Sequence, residues 1–301
     1  GHYKATYDIW AKANISVPPC FIVVCNNTTT SKLVYDYISG YERENTNGDI
    51  EVVPGKLELF RNYDENGNAL SGNGVEDLAR QVDALLLNEG VLSADALYLV
   101  MIGGNDAIDA LQAASMDMAA ADEAIAAVVT AAVGGIRDAL ERLLDSGARR
   151  IVVANIPDLA MVAGVIQEAS VTADPASFLE LATDVSSRFA TELDAALNDL
   201  RTGSRWTAPE PTLIKFDFMA ALQEVATEIS SSGGNVTDAC FDSERYRSSN
   251  NAERVFHPDC APAAGAGPRF SNFLYWDRIH PTGRAHELLG QQLGATVLSA
   301  F

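Results

Sequence analysis

A three-layer α/β/α sandwich around a mostly parallel sheet is the fold this sequence predicts, and three observations predict it. From about residue 71 onward, short apolar runs of strand length alternate with long amphipathic stretches. The clearest run, Ala96-Leu97-Tyr98-Leu99-Val100-Met101-Ile102, stops abruptly in Gly103-Gly104-Asn105-Asp106. A buried parallel strand ends this way when it hands a loop to its carboxyl edge. Successive strand–helix–strand units then close a parallel sheet by right-handed crossovers, with helices covering both faces.

The elements follow in order. Phe21-Ile22-Val23-Val24 reads as a buried strand, and Asn26-Asn27-Thr28-Thr29-Thr30-Ser31 is turn and cap chemistry ahead of a helix over 32–38. Residues 74–87 carry helical spacing in Val75, Leu78, Val82, Leu85 and Leu86. Residues 97–102 form a strand, 119–144 a long Ala-rich helix, 150–154 a strand and 175–200 a helix. Residues 212–216 are a strand and 218–229 a helix. A long loop is expected over 230–271, with Ser231-Ser232-Gly233-Gly234 and Gly265-Ala266-Gly267-Pro268 as its flexible parts. The last helix spans 283–298. The Ala runs at 113–133 read as tight helix packing, His257 and His286 as solvated side chains, and Trp10 and Trp206 belong to no motif.

Composition narrows the partners. With 301 residues, 48% of them hydrophobic, the chain can bury one substantial core. The formal net charge is −20, and residues 71–301 hold 15 basic against 32 acidic side chains. A surface so negative repels phosphate backbones and anionic membranes, which argues against nucleic acid as a partner. No run is long enough to span a bilayer, and Gly1-His2-Tyr3-Lys4 lacks the apolar stretch of a signal peptide. The localisation stays unknown, and an oligomer stays open.

Two motifs carry chemistry. Asp277-Arg278-Ile279-His280-Pro281 sets a carboxylate and an imidazole three residues apart in a Pro-closed turn. The carboxylate can orient and charge the ring, leaving it free to take a proton from a hydroxyl or a water. Far upstream, Gly103-Gly104-Asn105-Asp106 ends a strand where open α/β sheets collect ligands. Its glycines permit close backbone approach, and Asn105 offers a neutral amide donor suited to a developing oxyanion.

With these motifs, residues 71–301 resemble the GDSL or SGNH esterases and lipases. Gly103-Gly104-Asn105-Asp106 resembles the family block whose Asn is an oxyanion donor. Asp277-x-x-His280 resembles the block that carries the Asp and His of the triad. Ser71-Gly72-Asn73-Gly74 is similar to the block whose glycine N–H faces the oxyanion, which puts Gly74 in that role. Ile151-Val152-Val153-Ala154-Asn155-Ile156-Pro157 is similar to the strand and Asn-x-Pro turn between them. The resemblance implies an SGNH-hydrolase, flavodoxin-like sandwich and a carboxylic ester hydrolase acting on short acyl esters. It implies no cofactor and no metal, and a small ester or lipid as substrate. A catalytically inactive fusion, kept as a folded or oligomeric binding protein, is the alternative.

The family's Gly-Asp-Ser-Leu block, which supplies the nucleophilic serine, is absent from the chain. Composition also changes near residue 70. Four of the five lysines and six of the nine tyrosines precede it, whereas fourteen of the sixteen arginines follow. Residues 1–70 resemble a fragment of a type III restriction enzyme helicase subunit, without its phosphate loop or acidic box. The chain therefore reads as a fusion, natural or cloned, of a foreign segment over 1–70 and an SGNH-hydrolase-like domain over 71–301. The foreign segment would supply the first strand and helix. Laid over the family's opening, residues 22–24 take the first strand and Thr28 the nucleophile's position, where its methyl group crowds the attack. Ser71, near the oxyanion loop, is the rival nucleophile, and water activated by Asp277–His280 is a third route. Capping of a helix is the plain structural role for Thr28.

Secreted members of the resembled family carry a cysteine pair ahead of the D-x-x-H block, which implies a disulfide between Cys240 and Cys260. It would close about twenty residues and stabilise by roughly 3 kcal/mol. Two free thiols are the alternative; zinc is disfavoured because His257 alone is nearby. Cys20 and Cys25 are expected to be reduced. The esterase part thus looks derived from a secreted protein whose signal was lost with its original start.

Overall fold

A computed structural model describes residues 40–44, 50–54, 78–202, 206, 210–243, 245, 255–260 and 270–301. They belong to two units, Gly1–Leu92 and Ser93–Phe301. In the first, β1 (Gly40–Glu44) and β2 (Ile50–Pro54) pair antiparallel, with Gly40 opposite Pro54 and Glu44 opposite Ile50. The sequence reading missed this hairpin. Its signal was Asn47-Gly48 ahead of the β-branched Ile50, Val52 and Val53. Helix α1 (Leu78–Glu89) follows, overlapping the predicted 74–87 and running two residues past its end, with Val82 buried. The strand expected at 21–24 and the helix at 32–38 lie outside the described residues.

The second unit carries the parallel sheet. Strands β3 (Leu97–Met101), β4 (Arg150–Ala154) and β5 (Thr212–Phe216) lie in the order β3–β4–β5, all parallel and in register from Leu97–Arg150–Thr212 to Met101–Ala154–Phe216. Between them run α2 (Gly104–Met116) and α3 (Ala121–Asp145), a 3₁₀ turn (Leu159–Met161), α4 (Ala163–Ala169) and α5 (Pro175–Thr202). Helix α6 (Phe218–Ser231), strands β6 (Asn235–Ala239) and β7 (Phe273–Tyr275), and helix α7 (Gly283–Ala300) complete the unit.

Central β4 shows why the unit needs three layers. Ile151, Val152, Val153 and Ala154 are all buried, so both faces of the strand are covered. Val152 and Ala154 pack with Phe216 against Leu222, Val225, Ile229, Leu288 and Leu289 of α6 and α7. The opposite face belongs to the layer of α5. Lys215 points away from Phe216 by strand alternation, and its Nζ meets Asp194 of α5 at 2.6 Å. In that layer α2, α3 and α5 pack on one another through Ala107, Ala110, Leu111, Ile125, Val129, Val133, Leu140, Phe189, Leu193 and Leu197, all buried. The alanines of α2 and α3 allow the close approach that the Ala-rich sequence predicts.

The long loop expected over 230–271 is corrected by β6, which pairs parallel with β7. Asn235-Val236-Thr237-Asp238-Ala239 has poor strand propensity. It holds because Val236 and Ala239 pack beside the α6–α7 core and because Cys240, next in the chain, is bonded to Cys260 with a Cα–Cα distance of 5.5 Å. Both cysteines are fully buried with Phe273, under Phe256 and Phe270. The cysteine pair is therefore a disulfide and the free-thiol alternative is set aside.

Replacing Cys240 and Cys260 together by serine should cost about 3 kcal/mol of stability, since the bond closes a loop of about twenty residues. Denaturant midpoints of the two proteins measure this; equal midpoints would mean the core around Phe273 holds β6 without the bond.

Candidate active site

Asp277 and His280 occupy a turn that the main chain closes tightly. The Trp276 N–H donates to the His280 carbonyl at 2.8 Å, and Thr282 N–H to the Leu274 carbonyl at 2.8 Å. The buried Thr282 hydroxyl donates to the Phe273 carbonyl at 2.7 Å while accepting from the Ala285 N–H, so it ends the turn and starts α7 at once. Behind the turn, Cys240 and Phe241 donate main-chain N–H bonds to Tyr275 and Trp276, and the Phe241 and Trp276 rings stack with centroids 4.8 Å apart. The disulfide thus anchors the strand that leads into Asp277.

Inside the turn one carboxylate meets several donors. Asp277 Oδ1 accepts the N–H groups of Ile279 at 2.9 Å and His280 at 2.8 Å, and His280 Nδ1 lies 3.0 Å from both carboxylate oxygens. Asp277 has a side chain only 16% exposed, whereas that of His280 is 71% exposed. Burial pushes the Asp277 carboxyl up, but the His280 ring and the two N–H donors outweigh it and hold the group below its ordinary range. The hydrogen bond to Asp277 raises the His280 pKa above its usual value, against partial desolvation. His286 moves the other way, lowered by desolvation and by the nearby His280 charge.

A cavity of about 540 Å³ opens beside this pair. It is lined by Asp277, Arg278, Ile279 and His280 of the turn, by Ile108, Leu111 and Gln112 of α2, by Val165 of α4 and by Phe178 of α5, among others. That size suits a small organic ligand. Asn105 stands in the first turn of α2 and is exposed. Helical spacing puts it on the same face as Ile108 and Gln112, three and seven residues on. Among the described residues its side-chain amide has no hydrogen-bond partner. Gly103 sets the entry to that helix at φ 108°, and a Cβ there would lie 2.7 Å from Cε2 of the buried Phe189. Only glycine fits both demands.

Asn155 of the Asn-x-Pro turn serves the scaffold. Buried at 4% exposure, it donates to Asp217 at 3.1 Å and accepts the Phe218 N–H at 2.6 Å, capping α6. Thr28, Ser71 and Gly74 lie outside the described residues. Sequence reasoning missed α4 altogether, because Ala163-Gly164-Val165-Ile166 has neither a cap nor a long period. It also missed the contact of Gly164 with Arg278, whose main chain accepts the Gly164 N–H at 2.7 Å. No group of three or more His, Cys, Asp or Glu among the described residues is placed to hold a metal ion. No helix among them is long and apolar enough to cross a membrane.

The family model for GDSL-like lipase/acylhydrolase matches residues 29–293. The chain belongs to that family. Membership makes it a hydrolase of the esterase or lipase type, built on the parallel α/β sheet described above. Among curated proteins, none matches closely enough to show kinship. The match begins at residue 29, one residue after Thr28, and takes in much of the segment over 1–70. The helicase-like reading of that segment finds no support in it.

The His280 imidazole, followed by NMR titration, should show a pKa above 6.5, and Asp277→Asn should bring it down to that value or lower. An unmoved titration would mean that Asp277 does not charge the ring.

Proposed function

We propose that this chain is a carboxylic ester hydrolase acting on short acyl esters by acyl transfer. One observation carries the reading: His280 is tied through Nδ1 to a half-buried carboxylate, and its exposed ring opens on a 540 Å³ cavity. That is the arrangement of a general base whose tautomer and charge are set from behind. The apolar members of the cavity wall, Ile108, Leu111, Val165 and Phe178, suit an acyl chain better than a polar substrate.

The steps follow from these parts. A hydroxyl attacks the acyl carbon while His280 Nε2 takes its proton. The carbonyl oxygen becomes an oxyanion, which the Asn105 amide and the Gly74 N–H stabilise. Collapse expels the alcohol, which leaves with the proton from His280, and the acyl group stays on the enzyme oxygen. Water then repeats the sequence, giving the acid and restoring the hydroxyl. Thr28 is the nucleophile in this proposal, Ser71 its rival, and water activated directly by His280 the route that needs neither. The composition change near residue 70 still favours a separate origin for residues 1–70, while the family match from residue 29 favours kinship with the rest. Both readings let that segment supply the nucleophile. The missing Gly-Asp-Ser-Leu block keeps the inactive binding protein as the reading to beat.

Asn105→Ala should lower kcat on p-nitrophenyl acetate by about 10²–10³ with a smaller change in KM, because the amide faces charge present only in the transition state. His280→Ala should lower it by at least about 10³. A pure KM effect in the first, or near-parent turnover in the second, sinks these roles.

For the nucleophile, Thr28→Ala should abolish hydrolysis, Thr28→Ser should preserve or raise it, and a fluorophosphonate should label the parent protein. A fully active Thr28→Ala beside a dead Ser71→Ala moves the role to Ser71. Activity in both, with no adduct, leaves water. A parent that hydrolyses no ester is the binding protein instead.

A further inference from the structure

Two cavities flank one short helix. Gly164, Val165 and Glu168 of α4 face the 540 Å³ cavity beside His280. Ala163, Ile166, Gln167 and, just past the helix end, Ser170 face a second cavity of about 420 Å³. The split follows the helical period, with 163, 166, 167 and 170 on one side and 164, 165 and 168 on the other. The second cavity has its own apolar wall in Ile166, Phe241, Val255 and Phe256. It touches neither Asp277 nor His280.

Arg278 lines both cavities. Its Nη2 donates to the Gly164 carbonyl at 3.2 Å, so the side chain lies across the first turn of α4. It runs where Gly164 leaves space: a Cβ on Gly164 would lie 3.2 Å from Arg278 Cβ and 3.3 Å from Nε. The wall is thus helix α4 together with one long side chain that borders both cavities. The main-chain half of the contact, Gly164 N–H to the Arg278 carbonyl, needs no arginine. Shortening the side chain therefore opens the wall while leaving that tie to the Asp277–His280 turn.

We propose that Arg278 is a specificity-determining residue, a partition that confines an acyl chain to the cavity beside His280 and shuts it out of a second, partly apolar chamber. This rests on the ester-hydrolase reading of the site. It accounts for a preference for short acyl groups by a removable wall, and it assigns the second chamber as the place a longer alkyl chain would enter. Each methylene that gains burial there is worth roughly fourfold in affinity.

The test is the ratio of kcat/KM for p-nitrophenyl dodecanoate to that for the butanoate, which cancels any loss common to both esters. Arg278→Ala should raise the ratio at least about tenfold. Adding Ile166→Trp, which fills the second chamber, should erase the gain, and Ile166→Trp alone should leave the parent ratio unchanged. The partition is overturned by an unchanged ratio in Arg278→Ala, or by a gain that survives Ile166→Trp. A drop in the ratio for Ile166→Trp alone also overturns it, since the chamber would then be open already. Binding of dodecanoate and butanoate to the His280→Ala protein, with and without Arg278→Ala, gives the same comparison by calorimetry without turnover. If the parent hydrolyses no ester of any length the ester-hydrolase reading fails, and these isotherms still decide the partition: stronger dodecanoate binding on truncation upholds it and equal binding overturns it.

Discussion

One carboxylate organises the turn on which the site depends. Asp277 Oδ1 takes two main-chain N–H groups and the His280 ring together, so the same atom folds the turn and orients the imidazole. A half-buried carboxylate left with only part of this set would be less stable as the anion, because desolvation penalises the charge and each donor offsets it. The two functions are therefore coupled: the charge that holds the ring is affordable only because the turn supplies donors. Its surroundings are built to the same end, with β7 fully buried on one side and the Thr282 cap of α7 on the other.

The support reaches further than the turn. β6 is a weak strand by composition, and it is held by the disulfide at its end and by the aromatic contacts of Phe241 with Phe256 and Trp276. Those contacts lead directly into Asp277. From the opposite side, α4 reaches the same turn through Gly164, while α2 brings Asn105 and the cavity wall. Rigid sheet ends position a small amount of chemistry, and the variable pieces between them set the shape of the cavity.

Much of this was legible in the residues. The strands at 150–154 and 212–216 were placed to the residue, because a short run with strand-forming residues, buried on both faces at 150–154, leaves few alternatives. The pairing of Asp277 with His280 was legible too, since a three-residue spacing ahead of proline allows little else. The hairpin at 40–54 and strand β6 were not. The first lay between segments of ambiguous composition, and the second owes its conformation to packing and a crosslink that local propensity does not contain.

By itself the sequence determined the class of fold, the strands of the parallel sheet, the pairing of Asp277 with His280, and the place of Asn105 just past β3. These are local matters: apolar periodicity, strand length and a turn that one side chain can close. The tertiary structure decided between a disulfide and free thiols at Cys240 and Cys260, and it alone decided that Asn155 caps a helix and that Arg278 lies against Gly164 between two cavities. Each of those joins residues from 20 to more than a hundred positions apart. Only packing brings such pairs together, because contacts at that separation depend on how whole layers fit and not on any neighbouring residue.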